Sequence, residues 1–239
     1  MAAAARSSEK DVLMVLLAVL GFLLLLGLIF GPQLWVQHVL TQAQAERPDL
    51  AGTGAELARH LLDEADLRQV KVEETESGDH YDPEAGIVRL TAPHFHGRSI
   101  AAVAVATHEV AHAVQHARGE PGFRRRVALI RAIAPLDRIA QLVLISMPLI
   151  FAAVRSPALL GLQLALVVLL FAGRLAVHAV TLPVELDASF RKALPVLEQG
   201  GYLAPADLPQ ARRVLRAAAL TYVAAGLITL INALRWFRP

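Results

Sequence analysis

The chain has 239 residues, no cysteine, a formal net charge of +2 and 55% hydrophobic residues. Without cysteine there are no disulfides and no thiolate metal sites, which leaves histidine and carboxylate as metal ligands. So small a charge, with no basic block interleaved with aromatics, excludes nucleic acid as a partner, while a mean hydropathy of +0.48 is too high for an ordinary soluble enzyme.

Taken in chain order, the first element is an apolar run, Val12–Phe30, without one polar side chain. A bilayer span takes about 20 such residues. No small-residue cleavage site follows the run, so residues 1–31 are expected to be a tail and a retained membrane anchor. After Gly31-Pro32, Gln33 to Ala45 is expected to form an amphipathic helix near the membrane. Thr53 and Glu56 have capping-box spacing, which opens a helix to about Asp66. Val70 and Val72 alternate as in a strand, and Ile87–Leu90 is a second strand. Between them Glu76–Gly86 is rich in turn residues, so the two are expected to pair as a short β-hairpin.

Ser99 then caps a helix that runs through an Ala/Val-rich stretch to His108, Glu109 and His112, with Gly119 as its stop. This is an H-E-x-x-H pattern. Four residues are about one helical turn, so the two imidazoles stack on one face and can share one tetrahedral zinc at ~2.0–2.1 Å each. Glu109 lies beside them, where it can act as general base on zinc-activated water. His116 continues the stripe but lies two turns from His108, too far to share its ion. Three further charge-free runs, Ile139–Val154, Pro157–Gly173 and Ala217–Leu234, are each slightly short of a full span.

A catalytic zinc takes three protein ligands and leaves one position for water. The third is expected to be Glu185. Pro183 suits the first turn of a helix that would carry Glu185 and Asp187 early, although acidic residues also favour helix N-termini for their own sake. Two membrane crossings between the histidines and Glu185 would return the chain to the side it left, which decides for Glu185. Asp187 is then a partner for a ligand histidine. Tyr81 is a candidate oxyanion donor, and His94 and His96 are candidates for lining the cleft, with packing and exposed-loop roles as the plainer readings. The Arg124–Arg126 cluster is expected at lipid headgroups. Most of the 23 lysines and arginines lie between Arg47 and Arg216, so the metal site is expected on the cytoplasmic face of a multi-pass protein of the bacterial cell membrane.

The segments Gly97–Gln115 and Leu182–Ser189, with Asp79–Pro83 and Val88–Leu90 upstream, resemble the bacterial membrane-bound neutral zinc metallopeptidases (YugP-like). The likeness extends from about Gly52 to Arg235. It implies a zincin-type peptidase with His108, His112 and Glu185 as zinc ligands and Glu109 as base. The broader glutamate-zincin pattern often has an aspartate four residues after the ligand glutamate. Here that position is Ser189, and Asp187 comes two residues early.

The expected fold is a mainly α integral membrane protein with about four transmembrane helices and a small zincin-like α+β catalytic module containing a β-hairpin. Its parts are the anchor (residues 1–31), the module with the metal helix (32–133), a transmembrane hairpin (134–180), the third-ligand segment (181–213) and a fourth transmembrane helix with its tail (214–239). The expected function is a membrane-bound zinc metalloendopeptidase acting on protein or peptide substrates at the bilayer. Strand Ile87–Leu90 is expected to hold the substrate. The alternatives are a site-2-type intramembrane metalloprotease, with the metal helix itself a span and Asp187 the third ligand, and a non-catalytic zinc-binding membrane scaffold.

Overall fold

The computed structural model describes residues 2–154 and 156–235. Helix α1 (Ala2–Ala43) runs on through Pro32 as one unit, so the expected break at Gly31-Pro32 does not occur. Its C-terminal part buries Val36, Val39 and Ala43 in the core. Helix α2 (Gly54–Glu64) starts as its sequence demands. Glu56 N donates to Thr53 Oγ1 at 3.3 Å, and Thr53 N donates back to Glu56 Oε2 at 2.8 Å.

Three strands follow, β1 (Lys71–Thr75), β2 (His80–Asp82) and β3 (Ile87–Thr91), in the order β1-β3-β2. β1 runs parallel to β3, and β2 runs antiparallel to it. The expected hairpin between the first strand and Ile87–Leu90 is therefore corrected. Alternation marks a strand but not its direction, and the segment between these two holds a third strand. The hairpin is β2–β3. It is closed by Asp82, whose Oδ1 accepts from Glu84 N and Ala85 N at 2.9 and 3.1 Å, and by Gly86 at φ +67°. With β3 central and paired on both sides, it cannot take a substrate as an added strand.

A single turn, α3 (Ala92–Phe95), leads to the metal helix α4 (Ile100–Ala117), where Ser99 Oγ accepts from Ala102 N at 3.1 Å. Small residues let α4 sit in the middle of the module. It is buried almost throughout, against α2, the sheet and helix α8 (Leu208–Arg235). Between them α5 (Pro121–Val154) and α6 (Pro157–Asp187) form an antiparallel hairpin. A Cβ on Gly122 would lie 3.4 Å from Val184, and one on Gly173 would lie 3.5 Å from Ile133, so the two glycines set close approach in one register. Pro183 sits inside α6 rather than starting a helix, and Glu185 is near the end of α6, not at an N-terminus. The helix passes into a π-helical turn (Ala188–Ala193) and then into α7 (Leu194–Gln199).

The expectation of about four membrane spans is also corrected. Among the described residues, one helical stretch, Pro157–Gln199, has the length and mean hydropathy (2.1) to cross a membrane. Among the described residues, neither Ile139–Val154 nor Ala217–Leu234 lies in a second such stretch, and the latter begins inside the module with Ala217 and Ala219 fully buried. Helix α1 is likewise committed at one end to the core. Of the 23 lysines and arginines counted for the cytoplasmic expectation, Arg155 and Arg238 lie outside the described residues. The return of the chain to the metal helix follows from the α5–α6 hairpin and needs no count of crossings.

Gly54 opens α2 where it abuts the metal helix. A Cβ there would lie 2.1 Å from His94 O and 3.1 Å from Ala102 O, both backbone atoms. Gly54→Ala is expected to destabilise the module by ~1–3 kcal/mol, read as a lowered midpoint in denaturant unfolding followed by circular dichroism.

Candidate metal centre

His108 and His112 project from one face of α4, and Glu185 meets them from the end of α6. One ligand atom from each lies within 4.8 Å of the other two, and all three residues are buried. Glu185 Oε2 is 3.1 Å from His108 Nε2 and 3.2 Å from His112 Nε2.

The far nitrogens of both rings are held by neighbours, and this assigns the protons. Ser189 Oγ spends its single hydrogen on Leu215 O at 3.0 Å, so at 3.1 Å it accepts from His108 Nδ1–H. Gln115 Nε2 donates to Val184 O at 3.1 Å and to Asp187 Oδ2 at 2.8 Å. Its Oε1 therefore accepts from His112 Nδ1–H at 2.9 Å. Each Nε2 is left with its lone pair facing Glu185 Oε2. Three buried acceptors pointing at one another repel unless a cation stands among them, and two imidazoles with a carboxylate make a zinc set.

The carboxylates on either side of this point differ. Burial works against ionisation of Glu185, but with protons on the facing Nε2 atoms of His112 and His108 it is held well below the usual carboxylate range, and a bound cation supplies the same positive charge when those protons are absent. Its other oxygen is 3.1 Å from Arg126, whose guanidinium lies over the Phe123 ring. Arg126 is thus turned inward to the site, not outward to headgroups. Glu109 is pushed up to about 7, chiefly by burial, with His108 opposing and Glu185 adding to the rise. A carboxyl near 7 exchanges its proton readily at neutral pH.

Glu109 lines a cavity of about 660 Å³ together with the three grouped residues. One wall is polar, the segment Ser77–Glu84 around β2. The other is apolar, with Val36, Leu40, Phe123, Val127 and Ile130. Tyr81 is in the polar wall. Its hydroxyl is hydrogen-bonded to His116 Nδ1 at 2.9 Å, and burial raises its pKa.

His94 is buried, contrary to the loop reading. Its Nδ1–H donates to Asp79 Oδ2 at 2.8 Å, behind the cavity wall. Asp79 also takes Thr91 N–H and is held below its ordinary pKa despite burial, by His94 first and Thr91 second. His96 is exposed, 3.0 Å from Glu74, and away from the site. Among the described contacts, Asp187 touches neither His108 nor His112. It acts through Gln115 and pairs with Lys192, which also holds Glu120 at 3.0 Å.

Sequence reasoning missed Gln115, Arg126 and the role of Ser189. Gln115 had a signal, three residues past His112 on the same helix face. The others had none, because their partners come from distant segments.

Comparison with known proteins agrees with this geometry. The family model described as "Putative neutral zinc metallopeptidase" matches residues 17–238, and the chain belongs to that family. A protein of Bacillus subtilis (strain 168) described as "Putative membrane protease YugP" is 36% identical over 213 residues, which is 88% of this chain and 91% of that one. No solved structure matches.

Removing the Gln115 carboxamide frees the His112 ring to rotate and to change tautomer. Gln115→Leu is expected to weaken zinc binding ~10–100-fold while leaving helix content unchanged, measured by competition with a fluorescent chelator.

Proposed function

We propose that this zinc metallopeptidase cleaves internal peptide bonds at a membrane surface, with His108, His112 and Glu185 as the zinc ligands and Glu109 as the general base. The observation that carries the reading is the meeting of three buried acceptors beside a protonatable Glu109 at the floor of one cavity. Zinc, when bound, supplies Lewis-acid polarisation of the attacking water and of the scissile carbonyl. The chain's own residues do the rest. Glu109 accepts the proton of the attacking water and passes it to the leaving amine. Ser189 and Gln115 keep both Nε2 atoms aimed inward, and Arg126 occupies Glu185 Oε1 so that Oε2 faces the histidines. The apolar wall favours an apolar substrate side chain, and β2, an edge strand at the cavity, is the strand that can pair with an extended peptide.

Action at a membrane is supported by the apolar stretch of α6, which exposes Leu162, Leu169 and Leu175, and by the name of the Bacillus relative. The arginines surrounding the metal module support a cytoplasmic placement. The intramembrane reading loses its footing. The metal helix is enclosed by protein, and Asp187 is engaged by Gln115 and Lys192. A purely structural zinc leaves the buried Glu109 without a use.

Detergent-purified protein is expected to carry zinc and to hydrolyse casein, with activity lost to chelator and restored by zinc. Glu109→Gln is expected to keep its zinc and lose ~10²–10⁴-fold in hydrolysis. Retained activity, or a zinc-free variant, would remove Glu109 from the role of base. Glu185→Ala is expected to lose zinc, while Asp187→Ala keeps most of it with affinity lowered ~10–100-fold. Zinc content by plasma emission reads both, and the opposite ranking would return the third-ligand role to Asp187.

A further inference from the structure

Helix α1 has two working faces. Val36 and Leu40 line the metal cavity, while Trp35, His38 and Gln42 line a second cleft of about 630 Å³ on the other side. The opposite wall of that cleft is a single stripe of α8, Gln210, Arg213 and Arg216, at three-residue spacing. Gln210 Nε2 donates to Gln42 O at 3.1 Å and ties the walls together. Among the described residues, no carboxylate lines the cleft. Arg213 and Arg216 are exposed, and among the described residues neither makes an ion pair.

The position of the cleft identifies its ligand. Upstream of Trp35, α1 exposes Leu16, Leu17, Leu20, Leu23, Leu24 and Phe30. From Leu16 to Phe30 the helix carries this exposed apolar surface for about 21 Å. The cleft therefore sits where a long apolar surface gives way to polar residues, the level at which tryptophan settles and lipid phosphates lie. Two arginines without a counter-anion at that level suit a phosphodiester. We propose that the cleft between α1 and α8 binds the headgroup phosphate of an anionic phospholipid and so fixes the depth at which the module sits on the membrane. This site shares no residue with the metal centre and stands or falls apart from the peptidase reading.

Trp35 is one of two tryptophans, so in a Trp236→Phe background its fluorescence reports the cleft. The full chain in detergent micelles is titrated with brominated phosphatidylglycerol or brominated phosphatidylcholine, whose bromines quench tryptophan. Phosphatidylglycerol is expected to quench Trp35 at about one-thirtieth of the mole fraction that phosphatidylcholine needs, from two arginines acting on one phosphate. Arg213→Gln with Arg216→Gln should abolish that preference, and the paired lysine substitutions should keep most of it. Arg212→Gln, next to the cleft but engaged with Glu198 at 3.1 Å, should leave it unchanged. Equal quenching by the two lipids would overturn the proposal, as would an equal loss with Arg212→Gln. Displacement of the lipid by millimolar inorganic phosphate would overturn it too, by making the cleft a site for small anions.

Discussion

Three hydrogen-bond acceptors, two imidazole lone pairs and one carboxylate oxygen, are forced together in the interior of this protein. Such an arrangement repels itself, and the surrounding structure reads as the means of holding it. Helix α4 is built of small residues so that it can be enclosed on every side, which fixes two histidines without any loop. The α5–α6 hairpin then brings a carboxylate back from far along the chain. The π-helical turn begins three residues after Glu185, a kind of irregularity that recurs at functional sites. Across it Glu185 and Ser189 reach opposite nitrogens of the same His108 ring. One short segment therefore presents a carboxylate to one nitrogen of the His108 ring and sets the tautomer of that ring at the other.

The division of labour between the two carboxylates follows from the same constraint. Glu109 and Glu185 are buried to a similar degree, and burial disfavours the charge of both. Glu185 faces an arginine and the positive charge, ring protons or a cation, that lies between it and two rings, and it stays ionised. Glu109 faces only one of those rings, while Glu185 and Asp79 push against it, so it holds its proton more tightly. Two acidic groups on adjoining elements are thereby separated into a permanent anion and a proton carrier. That separation is the pattern by which acid–base roles are recognised in an active site.

Part of this was legible in the sequence. His108, Glu109 and His112 are legible because helical spacing is itself geometry. Thr53 with Glu56, and Ser99, are legible because a cap is a local hydrogen bond. Glu185 was reached by a different route, through counted membrane crossings. The structure brings Glu185 to the histidines, but by a helical hairpin. Hydrophobic runs could not separate lipid contact from contact between helices, since both reward the same side chains, and the count of spans suffered for it. Proline tolerates a helix start, which makes Pro183 read as one, yet α6 carries it near its end. The direction of strand pairing was invisible, because alternation is the same in parallel and antiparallel sheets. His94 looked like a loop residue until Asp79, fifteen positions upstream, was seen to claim its Nδ1.

The arrangement of walls around the metal centre carries one more consequence. The polar wall of the cavity is β2 with its loop, and β2 is the edge of a three-stranded sheet, so its outer hydrogen-bonding groups are open to an extended backbone. The apolar wall is made by α1 and α5, the helices whose outer surfaces carry Leu20, Leu24, Leu142 and Leu149 exposed. On the proposed reading, a peptide in the cavity would be received as a strand on one side and as an apolar side chain on the other. The second requirement is met by helices that continue into the apolar surface of the molecule. A segment of protein lying at a membrane, extended and apolar, satisfies both walls at once, whereas a soluble folded loop satisfies neither. Under the proposed peptidase reading, these two walls would select for the state and the location of a substrate more than for any one residue type.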